Sequence, residues 1–257
     1  MVRDFTLHIY RQLVETIAAS GYKMTSYEDF INGSQQGKQY ILRHDVDDLP
    51  LQSLRTAQIE KEAGAKGTYY FRIVKQSNHP SIIEAIAKLG HEIGYHYEDL
   101  ALTHGNFEKA YEDYLSNLAY FRKYYPVTTI CMHGSPLSKW DNRRIWEKYN
   151  YKKDGIIAEP YFDTDFNKVF YITDTSRHWN GNDYSVRDKV KTPFRIPITS
   201  TADLIQKISL QQLPDLIMQN IHPQRWTDDI YLWTKELVLQ NTKNVIKKII
   251  SNRQHAN

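Results

Sequence analysis

Short apolar runs rich in β-forming residues alternate with helix-period segments along nearly the whole chain. No other feature limits the fold as much. Residues 5–19 carry Phe5, Ile9, Leu13 and Ile17 at helical spacing and stop at Gly21. Strand-like runs come next at 40–42, 68–74, 92–97, 127–132, 155–158, 169–172 and 216–221. Helical patterns fall between them at 51–63, 80–89, 107–124, 142–149 and 204–208, and a closing helix covers 230–250. Gly64 and Gly90 stand just past two of these helices, and Pro80 stands near the start of one. This order predicts an α/β fold with a parallel sheet of about seven strands. Closed on itself, the sheet is a distorted seven-stranded (β/α) barrel that gathers its site at the C-terminal strand ends. Left open, it is a doubly wound parallel sheet.

No internal repeat or low-complexity linker divides the 257 residues. The expectation is a single domain over 1–257, with 1–38 as a helical extension packed through its apolar stripe. The 33 basic and 30 acidic residues nearly balance, which argues against a nucleic-acid partner. No run approaches the ~20 apolar residues of a membrane span. Charge at Arg3 and Asp4 breaks any signal-peptide pattern at the start. The lone cysteine, Cys131, excludes an internal disulfide framework and fits reducing surroundings. The expected location is cytoplasmic.

The residues at the end of each apolar run carry the chemistry. The first run leads into His44-Asp45-Val46-Asp47-Asp48. In a strand Asp45 and Asp47 share a face, and two carboxylates there repel each other unless a cation joins them. The competing reading is that Asp47 or Asp48 caps the next helix. The third strand carries His96, with Gly94 beside it permitting close backbone approach. His133-Gly134-Ser135 comes after the fourth, and His222-Pro223 after the last. A lone histidine is more often structural. Four strand ends that deliver Asp45/Asp47, His96, His133 and His222 to one rim form a candidate Asp/His metal site.

At these residues the sequence resembles the polysaccharide deacetylase family, metal-dependent carbohydrate esterases built on a distorted barrel of about seven strands. Arg43-His44-Asp45-Val46-Asp47 is similar to a variant of the family's first motif, which implies Asp45 as base and Asp47 as metal ligand. Gly90-His91-Glu92-Ile93-Gly94-Tyr95-His96 resembles the second motif and implies His96 as a ligand. The family's second ligand histidine comes four positions later, where this chain has Leu100. His133 is the candidate replacement, and His104 the weaker one. Asn220-Ile221-His222 resembles the final motif, whose histidine is the general acid, and Asp174 is at the place of its acidic partner. A turn role for Asp174 is equally open.

The resemblance therefore implies a hydrolase of amide C–N bonds. Asp45, His222 and Asp174 would be catalytic, and Asp47, His96 and His133 would hold one divalent ion. Mixed Asp/His ligation suits zinc, with cobalt or iron as alternatives. The expected substrate is an N-acetylated sugar or polysaccharide precursor, contacted by Ser135, Trp179 and Trp226, although either tryptophan could equally be core. The other functional readings are hydrolysis of a different linear or cyclic amide and a catalytically silent carbohydrate-binding protein.

Overall fold

The computed structural model describes residues 3–33, 37–135, 138–179 and 187–254, the last helix beyond 242 by its backbone alone. Its strands are β1 (Lys23–Thr25), β2 (Gln39–Val46), β3 (Thr68–Phe71), β4 (Glu92–Tyr97), β5 (Ile130–Met132), β6 (Phe170–Thr173) and β7 (Leu216–Ile221). Six of them pair side by side in the order β5-β4-β3-β2-β7-β6, and β1 lies against the start of β2. All these pairings are parallel. The sheet curls into a half-barrel with helices around it.

The helices are α1 (Leu7–Ala19), α2 (Tyr27–Asn32), α3 (Pro50–Glu62), α4 (Pro80–Lys88), α5 (Asp99–Leu102), α6 (Phe107–Phe121), α7 (Pro160–Asp163), α8 (Thr201–Ser209) and α9 (Ile230–Gln254). No helix among the described residues is long and apolar enough to cross a membrane. Residues 142–147, expected as an α-helix, form a 3₁₀ turn instead.

Strand β2 is the axis of the fold, and every one of its residues is buried. The two-residue period puts Ile41, Arg43 and Asp45 inside the barrel. Tyr40, Leu42 and His44 face outward. Tyr40 and Leu42 join a core with Ile9, Tyr10, Leu13, Val14 and Ile17 of α1 and Leu204 and Ile208 of α8. His44 Nδ1 lies 2.9 Å from the Thr68 carbonyl and Nε2 2.6 Å from Glu60 Oε1, and the Tyr10 hydroxyl donates to the same carboxylate oxygen. Opposite lies a second core, where Ile83, Ile86, Tyr114, Leu118 and Phe121 of α4 and α6 meet Tyr69, Phe71, Ile93 and Tyr95 of β3 and β4. Gly94 matters on the inner face. A Cβ there would sit 2.3 Å from the Tyr70 ring, so only glycine lets that ring lie across β4.

A further strand expectation is corrected. Residues 155–158 form no strand; Ala158 makes only an isolated bridge to Thr129. Ahead of β2, Lys23, Met24 and Thr25 pair in register with Gln39, Tyr40 and Ile41. Ala158 and Glu159 complete the outer edge of β5. The Ala158 carbonyl accepts from Ile130 N (3.2 Å), and Glu159 Oε1 accepts from Met132 N (3.1 Å).

Leu13 is fully buried in the α1 core. Leu13→Ala should cost about 2–5 kcal/mol in urea denaturation, as buried leucine truncations do. A second prediction concerns Glu92, whose Oε2 accepts from Glu28 N (2.9 Å) and Thr68 Oγ1 (2.6 Å). Burial pushes its carboxyl up to about 7 despite these donors. A raised folded-state pKa favours folding below the unfolded value of ~4.3, and that contribution is lost as pH rises through 7. Glu92→Gln removes this titration. Its urea midpoint should therefore gain on wild type between pH 5 and pH 8.

Candidate metal centre

The half-barrel brings the strand ends to one rim. Asp45 is on the inner face of β2, Asp47 one residue beyond that strand, and His96 on β4. His133, Asp174 and His222 each stand one residue past the end of β5, β6 and β7. The carboxylate of Asp47 is the point of convergence. Its Oδ1 is 3.7 Å from His96 Nε2 and 3.5 Å from His133 Nε2, and its Oδ2 is 3.9 Å from His222 Nε2.

Neither Asp47 nor Asp48 caps the next helix. Leu49 holds the cap position of α3, with φ at 47° and no side-chain cap, and Asp48 accepts from Leu49 N instead. Asp47 Oδ1 is buried with no hydrogen-bond partner among the described residues.

The far side of each ring is anchored. His96 Nδ1 donates to the Cys131 carbonyl (2.9 Å), His133 Nδ1 to Glu98 Oε2 (2.8 Å), and His222 Nδ1 to Asp174 Oδ1 (2.6 Å). A proton held on Nδ1 leaves a lone pair on Nε2, so the lone pairs of His96 and His133 face Asp47 Oδ1, while His222 Nε2 lies toward Oδ2. With bonds of ~2.0–2.2 Å, tetrahedral donors are ~3.4 Å apart, close to the His96 and His133 separations. These residues fit a divalent cation.

The surroundings set the charge of each group. Burial alone would raise the Asp45 carboxyl, but the Arg43 guanidinium, with His96 and His222, holds it well below the usual range. Arg43 donates from Nε to Oδ1 (3.0 Å) and from Nη2 to Oδ2 (2.8 Å), and Asn220 Nδ2 adds a bond to Oδ2 (2.9 Å). Asp47 meets the same burial penalty, overcome by His133, His222 and His96, which bring it down to about 2. His96 is pushed down to about 4, chiefly by burial and against the pull of Asp45, so its ring is neutral near pH 7. His222 moves the other way. Burial and Arg225 oppose its charge, yet Asp174 raises it above the ordinary value. Asp174 itself is held low by Arg225 and His222 against burial.

Three residues expected at the substrate do other work. Trp226 and Trp179 are 0% and 4% exposed and pack against each other and Phe5, so neither ring is open to a sugar. Trp226 Nε1 instead donates to Asp174 Oδ2 (2.8 Å) and holds the partner of His222. Ser135 is buried, with its hydroxyl 3.0 Å from His133 Nδ1 and accepting from Asn142 Nδ2 (3.1 Å). It supports His133. Asp174 is no mere turn residue, since its carboxylate also accepts from Arg225 Nη1 (2.7 Å). His104 lines a groove with Trp140 and does not face Asp47. Leu100 is fully buried in the apolar core.

Sequence reasoning missed the supporting residues. Arg72 donates to both oxygens of Glu98 (2.7 and 2.9 Å) and to the Asp47 carbonyl (3.3 Å), linking the two. Arg187 donates to the carbonyls of Gly134 (2.5 Å), Ser135 (2.7 Å) and Ser138 (2.5 Å), pinning the loop after His133. Cys131 is a further neighbour without a sequence signal. Asp45, His96 and Cys131 each offer a donor atom within 4.8 Å of the other two. Burial keeps the Cys131 thiol protonated, and the Asp45 oxygens already accept three hydrogen bonds. Among the described residues this is the group of three whose donor atoms all lie that close together.

No family model matches the sequence, and no curated protein matches it. Among solved structures, that of Bacillus subtilis PdaA, a family 4 carbohydrate esterase, matches with a TM-score of 0.42 and 14% identity. The match covers 90% of this chain and 84% of that one.

Glu98 tests the site without touching a ligand. Glu98→Gln weakens the anchor on His133 Nδ1, and zinc affinity measured calorimetrically should fall about 10–100-fold, as losses of such partners do.

Proposed function

We propose that this protein is a metal-dependent hydrolase of amide C–N bonds that removes the acyl group from an N-acetylated sugar. The observation that carries the reading is the convergence of three Nδ1-anchored imidazoles on the Asp47 carboxylate, two of them at its unpartnered Oδ1, with an ionised Asp45 beside them. The sugar is inferred from the motif resemblance around Asp45, Asp47, His96 and His222.

In this reading Asp47, His96 and His133 hold the ion. Bound there, a divalent cation supplies Lewis acidity toward a carbonyl oxygen and lowers the pKa of water. The chain's own groups divide the proton work. Asp45 stays ionised through its Arg43 pair and accepts the proton of the attacking water. His222 stands across Asp47 from the other two rings. Kept protonated by Asp174, it donates to the departing nitrogen. Asp47, His133 and His222 side chains are 23%, 15% and 11% exposed, against 2% for His96, so substrate enters from their side.

The two aspartates should fail differently. Asp47→Ala removes a charged ligand, so metal content and activity fall together. Asp45→Asn leaves the ligand set intact but cannot take the proton; metal stays while acetate release drops about 10²-fold or more. Metal analysis of both variants, with an acetate assay on N-acetylated sugars, checks this. Retention of metal by Asp47→Ala and its loss by Asp45→Asn would reverse the roles. Full metal and full rate in both would end the proposal.

A further inference from the structure

We propose that the outward face of α9 docks on an anionic lipid membrane, which holds the protein at a bilayer surface without spanning it. The face is apolar where a solvated helix face is normally polar. Ile230, Tyr231, Val238 and Leu239 are between 43% and 71% exposed. No other helix or strand among the described residues carries more than one exposed apolar side chain of this size. Single exposed apolar residues are ordinary, but four on one helix mark an interaction surface.

The inner side of α9 is committed to the body. Trp233 donates its indole N–H to the Asp4 carbonyl (2.7 Å) and has the Arg3 and Arg177 guanidinium groups over its ring. Gln240 is buried and donates from Nε2 to Glu236 Oε1 (2.7 Å), which lies 3.8 Å from Arg225 Nε. The helix thus meets the body with aromatic and polar residues and leaves aliphatic ones outside. Tyr231, Lys235, Val238, Leu239 and Thr242 are all exposed and share one face at 3.6 residues per turn.

Charge identifies the occupant. Lys235 stands in the middle of this face, and the neighbouring carboxylates are engaged elsewhere. Glu236 is on the inner side, Asp229 accepts from Tyr231 N and Leu232 N (both 2.9 Å), and Asp228 accepts from His8 N (3.2 Å). In sequence, 230–254 has Lys235, Lys243, Lys247, Lys248 and Arg253 against the single acid Glu236. The apolar pair Val238-Leu239 also recurs seven residues on as Val245-Ile246. Aliphatic groups with cations and no acid match an anionic bilayer, whose chains take the former and whose headgroups take the latter. A second copy of this face fits less well. A two-fold contact would bring Lys235 of each copy into an apolar interface with no carboxylate to pair it. Against a bilayer the same side chain reaches the headgroups along its own stem.

The seat of α9 puts this surface beside the rim. Arg177 and Arg225 belong to the turns after β6 and β7, and Arg225 also donates to Asp174, the partner of His222.

Co-sedimentation of the full-length protein with vesicles tests this, using phosphatidylcholine alone and equal parts phosphatidylcholine and phosphatidylglycerol. Wild type should bind the mixed vesicles and not the neutral ones, and binding should fall as salt rises from about 0.1 M to about 1 M. Leu239→Glu should weaken binding about 10-fold or more, the size of one lost buried leucine. Lys235→Gln should weaken it about 5-fold. Both side chains face outward, so the urea midpoint of each variant should match wild type. Equal binding to both vesicle types, no binding to either, or binding unchanged in Leu239→Glu overturns the proposal. So does a dimer in sedimentation velocity that Leu239→Glu dissociates while no vesicle is bound, since the face is then an interface between copies of this chain. No substrate enters these measurements, so their failure and that of the hydrolase reading are separate.

Discussion

A strand buried on both faces cannot carry polar side chains without partners, and β2 carries them on both. Arg43 and Asp45 face the barrel interior and satisfy each other through two parallel hydrogen bonds. His44, between them, points outward and pairs with Glu60. Removing one member of such a buried pair typically costs about 3–5 kcal/mol, because the other is left charged and dry. The rest of the fold is arranged around this need. Helix α3 brings Glu60, α1 brings Tyr10 to the same carboxylate, and β7 brings Asn220 to Asp45. The segment before β2 is thus part of the machinery that keeps the site's strand in register.

Asp47 differs from Asp45 by two residues along the chain and by everything in its surroundings. Asp45 is saturated by donors, whereas Asp47 Oδ1 faces the Nε2 atoms of His96 and His133, whose protons lie on the other side of each ring. Anchoring by a carbonyl, by Glu98 and by Asp174 decides the tautomers. It also separates the rings by task. His96 is buried and neutral near pH 7, while His222 leans toward its charged form because a carboxylate with no exposed surface sits behind it. One carboxylate therefore faces rings tuned in opposite directions, which is the separation that proton transfer in one direction requires.

How much of this could be read in the chain depends on distance along it. The alternation of apolar runs and helical patterns signalled a parallel α/β sheet because each element announces itself locally. His96, His133 and His222 stood out because each ends or succeeds such a run, and the barrel collects run ends. Strand β1 was invisible: Lys23, Met24 and Thr25 have no apolar pattern and form a strand only because β2 lies alongside. Residues 155–158 misled in the opposite sense, having strand-like composition but reaching β5 only through Ala158. Trp179 and Trp226 lie near motif residues in sequence, which says nothing about which way a ring points. Arg72, Glu98 and Arg187 act through contacts 25 to 53 residues away, beyond any local pattern.

The gap between β5 and β6 has a further consequence. An exposed strand edge is an invitation to another chain, and proteins usually blunt it. Here the backbone donors of β5 are given to the Ala158 carbonyl and the Glu159 carboxylate, and the carbonyls just beyond go to Arg187. The edge is thus sealed by the same stretches of chain that shape one lip of the rim. Variation at Ala158, Glu159 or Arg187 would expose a sticky edge as well as alter the site.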